Sequence, residues 1–237
     1  MSKILGVWGE IPDEHLEWHE DKHVPAATKR LGTRAFHFEA GENAFAEEHK
    51  QTATSFTLYE GLESTEPQSF AEQTLPQADS LSDVPKEALL NARYYTCTMM
   101  EQAKDFTGDY TDAGCLVMGN FQPSRATHDD FFKWWHDEFV SIIKRSPDFL
   151  RVRLWKLDSA ADFKDGSAST PNRDDLLVYI MAYEFSSDDI PWDITIQIAQ
   201  SEGWQRFVEH DLRIYTKDGA VEAEFNNEDY FDEEEED

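Results

Sequence analysis

The strongest constraint on this chain is a sequence pattern that occurs twice. The pair Trp18-His19 recurs as Trp135-His136, and the two stretches that follow run in parallel. Residues 33–38 then align with residues 150–155 without a gap. Identity between the two stretches is low, but the order of apolar and polar segments is shared. The chain is therefore expected to contain one structural unit twice.

Each copy has the same predicted order of elements. An apolar run predicts a strand, a polar loop leads into an amphipathic helix, and two strands, a second helix and a closing strand follow. The first helix is clearest in the second copy, where Phe131, Trp135, Phe139 and Ile142 recur at helical spacing. The other predicted elements lie at 4–8, 33–38, 52–60, 66–75 and 92–99 in the first copy and at 115–119, 150–157, 176–185, 192–209 and 212–216 in the second. The order β-α-β-β-α-β is that of a ferredoxin-like unit.

The predicted fold is α+β, with two tandem ferredoxin-like units that form an intramolecular dimeric α+β barrel. A sheet with helices on one face needs cover on the other, and a second copy in the same chain supplies it. The two sheets are expected to pack face to face around a cavity. The expected divisions are a first repeat at 1–101, a linker at 102–114, a second repeat at 115–225 and a disordered acidic tail at 226–237. Within the second repeat, residues 158–174 are interpreted as a mobile loop.

The charge of the chain argues against several kinds of partner. The 237 residues include 21 Lys and Arg and 49 Asp and Glu, which gives a formal net charge of −28. Such a charge repels phosphate backbones and anionic lipids, so neither nucleic acid nor a membrane is expected as a partner. Two cysteines are too few for a disulfide framework, and no signal peptide or membrane span is evident. A cytoplasmic protein is expected, either a monomeric pseudo-dimer or a homodimer.

The segment Trp18–Pro25, WHEDKHVP, resembles the W-Y-x-x-E-H-x-P segment of the EthD-like branch of the dimeric α+β barrel superfamily. Residues 135–138 with 150–154 resemble the second copy in the tandem fungal members of that branch, and the similarity covers about residues 3–217. Two positions depart from the family. Lys22 stands where an acidic residue is usual, and Val140 replaces the motif histidine in the second copy.

The resemblance implies a fold and a list of chemistries. Relatives include cofactor-free polyketide cyclases, decarboxylases and dehydratases, cofactor-free quinone-forming monooxygenases, haem-dependent enzymes on expanded versions, and members with no demonstrated activity. The fold alone does not select among them.

Histidines are concentrated at the start of the chain, and they provide the candidate catalytic groups. His15, His19 and His23 follow one another at a spacing of four, which places them on one helix face with a drift of about 40° per step. The aligned residues of the second copy are Phe132, His136 and Val140. We interpret His23 and His19 as proton-transfer residues. Solvent-exposed or simply packed histidines are the alternative.

Pro25 is expected to kink or end this helix, because its ring opposes the carbonyl group of Asp21. His23 would then lie near a helix C-terminus, where the dipole and the acidic neighbours Glu20 and Asp21 favour imidazolium. A general acid is then at least as natural as a general base. No metal and no cofactor are expected, since two histidines at i and i+4 lack a third ligand with an evident spacing.

Strand alternation assigns the substrate-binding residues. Arg34, Phe36 and Phe38 are expected to face the cavity, and His37 is expected to lie under the helix that carries His23. Arg153 and Trp155 are expected to reach in from the second sheet, because the alternate residues of that strand are apolar. Arginines among aromatic rings suit a planar anionic ligand, although each arginine could instead pair with an acid of the chain.

Tyrosine and tryptophan residues complete the predicted site. Tyr59 is a candidate catalytic hydrogen-bond donor to a developing enolate, with simple packing as the alternative. Trp8, Trp18 and Tyr94 are predicted to contact substrate. The main pocket is expected in the first copy, because the second copy lacks the H-x-P element.

The leading functional hypothesis is a cofactor-independent acid–base enzyme that acts on an aromatic or polyketide-like small molecule. The reaction would be of the cyclase, dehydratase, decarboxylase or isomerase type, as for a lyase or cyclase of secondary metabolism. The alternatives are a non-catalytic binding protein for a hydrophobic aromatic metabolite and a cofactor-free monooxygenase.

Overall fold

The computed structural model describes residues 3–39, 55–62, 91–104, 113–164, 167–172, 176–187, 191–210, 212–216 and 219–221. The chain divides into two compact units. The first unit comprises Met1–Met99 and Lys156–Asn172, and the second comprises Met100–Trp155 and Arg173–Asp237. Both units combine helices with a largely antiparallel sheet, so the fold class is α+β.

The first unit follows the predicted order as far as the structure describes it. Its elements are β1 (Lys3–Glu10), α1 (Asp13–Trp18), a π turn (His19–His23), α2 (Val24–Leu31), β2 (Arg34–Glu39), β3 (Ser55–Leu62) and the part of β4 (Asn91–Lys104) that ends at Met99. Strand β1 lies between β3 and β4, and β2 pairs with the other edge of β3. All three pairings are antiparallel.

Strand register sorts the residues of this sheet onto two faces. Leu5 lies opposite Tyr59 on β3, and Trp8 lies opposite Phe56. The face that carries Leu5 and Tyr59 packs against Ala27 of α2, and we call it the helix-side face. The face that carries Trp8 and Phe56 is the far face. This division decides which predicted site residues can act together.

The first helix does not end at Pro25, which was one of the two outcomes expected from the sequence. The backbone N–H of Val24 donates to the carbonyl group of His19, five residues earlier, which closes a π turn. Pro25 follows in the first turn of α2, where its missing N–H group is tolerated. Helix α2 ends at Gly32, which has a left-handed φ of 63°. His23 therefore lies within the helix and not at its C-terminus.

The second unit shows the complete β-α-β-β-α-β order. Its elements are β5 (Cys115–Pro123), a short 3₁₀ turn (Arg125–Thr127), α3 (His128–Trp134), a π turn (Trp135–Phe139), α4 (Val140–Ile143), the first part of β6 (Phe149–Lys164), β8 (Tyr179–Phe185), α5 (Trp192–Ala199), α6 (Glu202–His210), β9 (Leu212–Thr216) and β10 (Gly219–Val221). The predicted helix at 192–209 is thus two helices. The strand order is β10-β9-β5-β8-β6.

The core of the second unit confirms the amphipathic pattern read from the sequence. Phe131, Trp135, Phe139 and Ile142 are all buried in one apolar cluster with Val152 and Leu154 of β6. Gly203 of α6 sits so close to the indole ring of Trp134 that a Cβ atom at this position would overlap the ring. Close helix packing therefore requires glycine there.

The segment 158–174, expected to be a mobile loop, is largely ordered β-structure. Strand β6 continues to Lys164 and pairs with a short strand, β7 (Ser167–Ser169). Arg93 makes two hydrogen bonds of 2.6 and 2.9 Å to Asp162, and the hydroxyl groups of Thr96 and Ser159 lie 2.7 Å apart. These contacts explain why a polar segment forms a strand. They also explain why residues 156–172 are compact with the first unit, across the predicted division at 102–114.

Several predictions lie outside the described residues. They are the second helix at 66–75, most of the linker at 102–114 and the acidic tail at 226–237. Strand β4 reaches Lys104, three residues beyond the predicted end of the first repeat. Within the described ranges, no helix has both the length and the apolar character needed to cross a membrane.

Candidate active site

A small pocket lies between the helix-side face of the first sheet and the π turn above it. Its cavity volume is about 10 Å³, enough for about one water molecule. The lining residues come from β1, the loop after it, the π turn, β3 and β4: Val7, Gly9, Ile11, His19, His23, Ser55, Thr57, Tyr59, Ala92 and Tyr94. Four predicted site residues thus meet here: His19, His23, Tyr59 and Tyr94.

The histidines of the π turn form a stacked pair. The ring centroids of His19 and His23 are 5.0 Å apart, with 22° between the ring planes. His37 of β2 lies beneath them, with its ring centroid 4.8 Å from that of His19. The indole ring of Trp18 lies 5.3 Å from the His23 ring. His15 lies near Glu14 and does not line the pocket.

The environment of this pair favours neutral imidazole. Burial, with smaller contributions from His23 and His37, lowers the pKa of His19 to about 3. Burial also lowers the pKa of His23 to about 4, with contributions from Arg30 and His37. For His23, burial therefore opposes the imidazolium form that the predicted helix end and the acidic neighbours indicated, and its role as general acid or general base stays a prediction. Its helix continues, so no C-terminal dipole acts on it, and desolvation outweighs the acidic neighbours.

His19 has polar atoms without partners. Its side chain is 4% exposed, and among the described residues neither ring nitrogen has a hydrogen-bond partner. A buried polar atom without a hydrogen bond costs roughly 1–3 kcal/mol. A side chain held in this state at a pocket wall is available to a ligand.

Hydroxyl groups line the opposite wall. Thr57 and His37 are joined by a hydrogen bond of 2.9 Å between Oγ1 and Nδ1, and the Ser55 hydroxyl donates to the Gly9 carbonyl at 3.3 Å. Burial, with a smaller contribution from Tyr94, raises the pKa of Tyr59 well above its usual value. Tyr59 therefore remains a protonated donor at any physiological pH.

The predicted aromatic wall lies on the other face of the sheet. Register places Arg34, Phe36 and Phe38 on the far face, and His37 on the helix-side face, as alternation had indicated. Trp8 is also on the far face, 4.7 Å from Phe56 between ring centroids. The predicted single site is therefore divided by the sheet. The prediction placed the aromatic residues of the far face and Tyr59 of the helix-side face in one pocket, although the sheet separates them.

Arg153 and Trp155 belong to the second unit, where the guanidinium group of Arg153 forms an ion pair with the carboxylate of Glu184. Nη2 of Arg153 lies 2.8 Å from Oε1 of Glu184, and Nε of Arg151 donates to Oε2 of the same carboxylate at 2.7 Å. The guanidinium group of Arg153 stacks 4.6 Å from the ring centre of Trp155. Arg151 and Arg153 therefore both pair with an acid of the chain, which was the alternative to binding an anionic ligand.

The two π turns align the first helices of the two units differently from the sequence comparison. They begin at His19 and at Trp135, so His19 corresponds to Trp135 and His23 to Phe139, one residue from the sequence alignment. Burial agrees, because Trp135 and Phe139 are buried whereas the side chain of His136 is 71% exposed. The second unit therefore places two core aromatic rings where the first unit places imidazoles.

Two hydroxyl side chains of the pocket, those of Ser55 and Thr57, were not predicted as site residues. Ser55 and Thr57 share the alternation of Tyr59 along β3, so the face of Tyr59 would have indicated them. Among the described residues, no three His, Cys, Asp or Glu side chains are placed to hold a metal ion.

Acidification should destabilise the protein through the histidine pair. Both folded-state pKa values lie below the ordinary value of 6.5, so the folded state binds fewer protons than the unfolded state. The contribution of the two histidines to the free energy of unfolding is complete above about pH 6.5. It falls as the pH drops, by roughly 2 kcal/mol per histidine at about pH 5. Urea unfolding of wild type and His19→Gln at about pH 6.5 and at about pH 5 measures this loss of stability. His19→Gln should lose less stability on acidification, whereas the exposed control His136→Gln should lose as much as wild type. Equal losses in all three proteins would contradict the prediction.

Known structures identify the fold. No protein-family model matches the chain, and no curated protein sequence matches it either. An anthrone oxidase-like protein aligns with a TM-score of 0.52 at 10% identity over 93% of this chain and 91% of that one. A mutant chlorite dismutase from Candidatus Nitrospira defluvii aligns with a TM-score of 0.47 at 8% identity, over 93% and 91%. The chain therefore shares its fold with the anthrone oxidase-like protein.

Proposed function

We propose that this chain is a cofactor-independent acid–base enzyme that acts on an aromatic or polyketide-like small molecule. The reaction is of the cyclase, dehydratase, decarboxylase or isomerase type, in secondary metabolism. One observation carries the proposal. Two imidazoles whose pKa values are lowered by burial, one of them without hydrogen-bond partners among the described residues, line the same small pocket as the protonated phenol of Tyr59.

The proposed chemistry begins with proton removal. A neutral imidazole of His19 or His23 accepts a proton from an acidic C–H or O–H group next to an aromatic ring. The resulting enolate or phenolate is a hydrogen-bond acceptor, and the Tyr59 hydroxyl donates to it. The anion formed beside the imidazolium offsets the burial that lowers the histidine pKa values. The base is therefore stronger with substrate present.

The size of the pocket limits what enters it. A volume of about 10 Å³ admits the reacting oxygen or C–H group of a substrate, and not a whole aromatic ring. The partly exposed indole of Trp18, next to His23, offers a surface on which the rest of an aromatic substrate stacks.

A cofactor-free monooxygenase is the second candidate, and the fold shared with an anthrone oxidase-like protein favours it. Proton removal would be the same first step. The anthrone carbanion would then react with dioxygen, so that the methylene group becomes a carbonyl group and one water molecule leaves. One dioxygen per substrate balances this reaction, and no further reductant is needed.

A dihydroxyanthrone in deuterated buffer, with and without air, tests both candidates. Base catalysis should accelerate the exchange of the methylene hydrogens for deuterium in both buffers, as measured by mass spectrometry. A monooxygenase should additionally form quinone only in air and consume one dioxygen per turnover. Anthrone recovered without exchange or oxidation above the protein-free rate would contradict both candidates. Thermal stabilisation by unchanged anthrone would then favour the non-catalytic binding protein.

We further propose an evolutionary origin, a cellular location and an oligomeric state for the chain. Its two units derive from tandem duplication in the EthD-like branch, and it acts in the cytoplasm as a monomeric pseudo-dimer or a homodimer. The order of elements in the second unit and the π turn in each unit support duplication.

A further inference from the structure

Among the described residues, the polar side chains that line the pocket are imidazoles and hydroxyl groups, without a carboxylate, guanidinium or ammonium group. In a chain with 49 acidic residues, none of the lining residues that the structure describes is Asp or Glu. The polar lining groups are instead the imidazoles of His19 and His23 and the hydroxyl groups of Ser55, Thr57, Tyr59 and Tyr94. Such a lining suits a ligand that accepts hydrogen bonds.

Protonation would change the character of this wall. An imidazolium ring donates from both nitrogens, whereas a neutral ring donates from one. Both ring nitrogens of His19 are buried without hydrogen-bond partners among the described residues, so a bound acceptor would satisfy a donor that is otherwise unpaired. A charge introduced alone would be strongly opposed by burial, whereas a proton and an anion introduced together leave the pocket neutral.

We infer that the pocket binds the oxyanion of a carboxylate or enolate together with one proton, which is taken up by the histidine pair. This inference rests on the proposed function for the location of the site, and it deepens that function by naming the substrate group that enters. The bound oxygen faces the histidine pair and the hydroxyl wall, and the remainder of the substrate extends past Trp18.

The titratable groups around the pair oppose its protonation in the absence of a bound anion. On their own helical segment, Arg30 opposes protonation of His23, and Glu20 lies 3.7 Å from Nε2 of His37 with its side chain 44% exposed. From the sheet, His37 of β2 opposes protonation of both rings, and Tyr59 and Tyr94 line the pocket from β3 and β4. We expect the negative charge of the bound anion to favour protonation of the histidine pair, against the effects of Arg30 and His37.

Proton uptake makes the affinity depend on pH with a defined slope. If one proton enters with each anion, the apparent affinity rises about tenfold for each pH unit of acidification above the histidine pKa values. Between about pH 7 and pH 5 the expected increase is roughly 100-fold. A neutral ligand of the same shape should show no such slope.

Titration calorimetry with sodium formate tests the inference, with formamide as the neutral probe. Formate is small enough to place one oxygen in the pocket. Each titration is made in two buffers with different heats of ionisation, which gives the number of protons taken up. We expect about one proton per formate, the roughly 100-fold gain in affinity, and unchanged behaviour in His136→Gln. The double variant His19→Gln/His23→Gln should lose both the proton uptake and the gain in formate affinity on acidification.

Other outcomes would overturn the inference. These are formate binding without proton uptake, equal binding of formate and formamide, no formate binding, or full uptake retained in the double variant. If the double variant does not fold, the wild-type comparison of formate with formamide decides alone. Anthrone turnover without formate binding would overturn only this inference. Formate binding with proton uptake, but no turnover of anthrone, would leave this inference standing and count against the proposed function.

Discussion

Replacing His19 or His23 with alanine should slow deuterium exchange of the dihydroxyanthrone methylene group about 10²–10⁴-fold. The reason is that each substitution removes one of the two neutral bases that line the pocket. The rate is measured in oxygen-free deuterated buffer, so that only proton transfer contributes. Circular dichroism and thermal unfolding establish that each variant is folded.

The matched control for these variants is His136→Ala. His136 lies on the corresponding helix of the second unit, but its side chain is 71% exposed and does not line the pocket. Its removal should leave the exchange rate within about twofold of wild type. A larger loss at His136 than at His19 and His23 would place the active site in the second unit.

Removing the buried carboxylate of the second unit should be the most destabilising change considered. Glu184 is fully buried and faces two guanidinium groups, those of Arg151 and Arg153. Arg153 is 1% exposed, so it cannot reach water when the carboxylate is removed. Glu184→Ala should lower the free energy of unfolding by about 3–5 kcal/mol. Urea denaturation with circular dichroism detection measures the loss.

A surface pair in the same unit provides the comparison. Arg206 and Asp130 lie 3.1 Å apart, but their side chains are 57% and 63% exposed. Asp130→Ala should therefore cost no more than about 1 kcal/mol. Similar losses for Asp130→Ala and Glu184→Ala would show that burial does not set the strength of the Glu184 pair.

Local periodicity allowed much of the fold to be predicted. The stripe of Phe131, Trp135 and Phe139 identified a helix and its buried face, because side-chain direction in a helix follows from spacing alone. Alternation likewise separated His37 from Arg34 along β2. These features depend on neighbours in sequence, so no tertiary information was needed.

Features that depend on distant contacts could not be predicted in this way. The length of β6 follows from hydrogen bonds between Asp162 and Arg93 and between Ser159 and Thr96, more than sixty residues earlier in the chain. The charge state of His23 depends on desolvation by the folded sheet, which its acidic sequence neighbours do not indicate. The sequence therefore indicated the histidines of the pocket but not the effect of burial on their pKa values.

The paired π turns give the chain an internal comparison. At the same two helical positions, one unit carries Trp135 and Phe139 as ordinary core, and the other carries His19 and His23. Aromatic rings bury more apolar surface than imidazoles, and they leave no polar atoms without partners there. The first unit therefore buries less apolar surface at these two positions than the second. Under the proposed function this difference is the loss of stability that accompanies a reactive site.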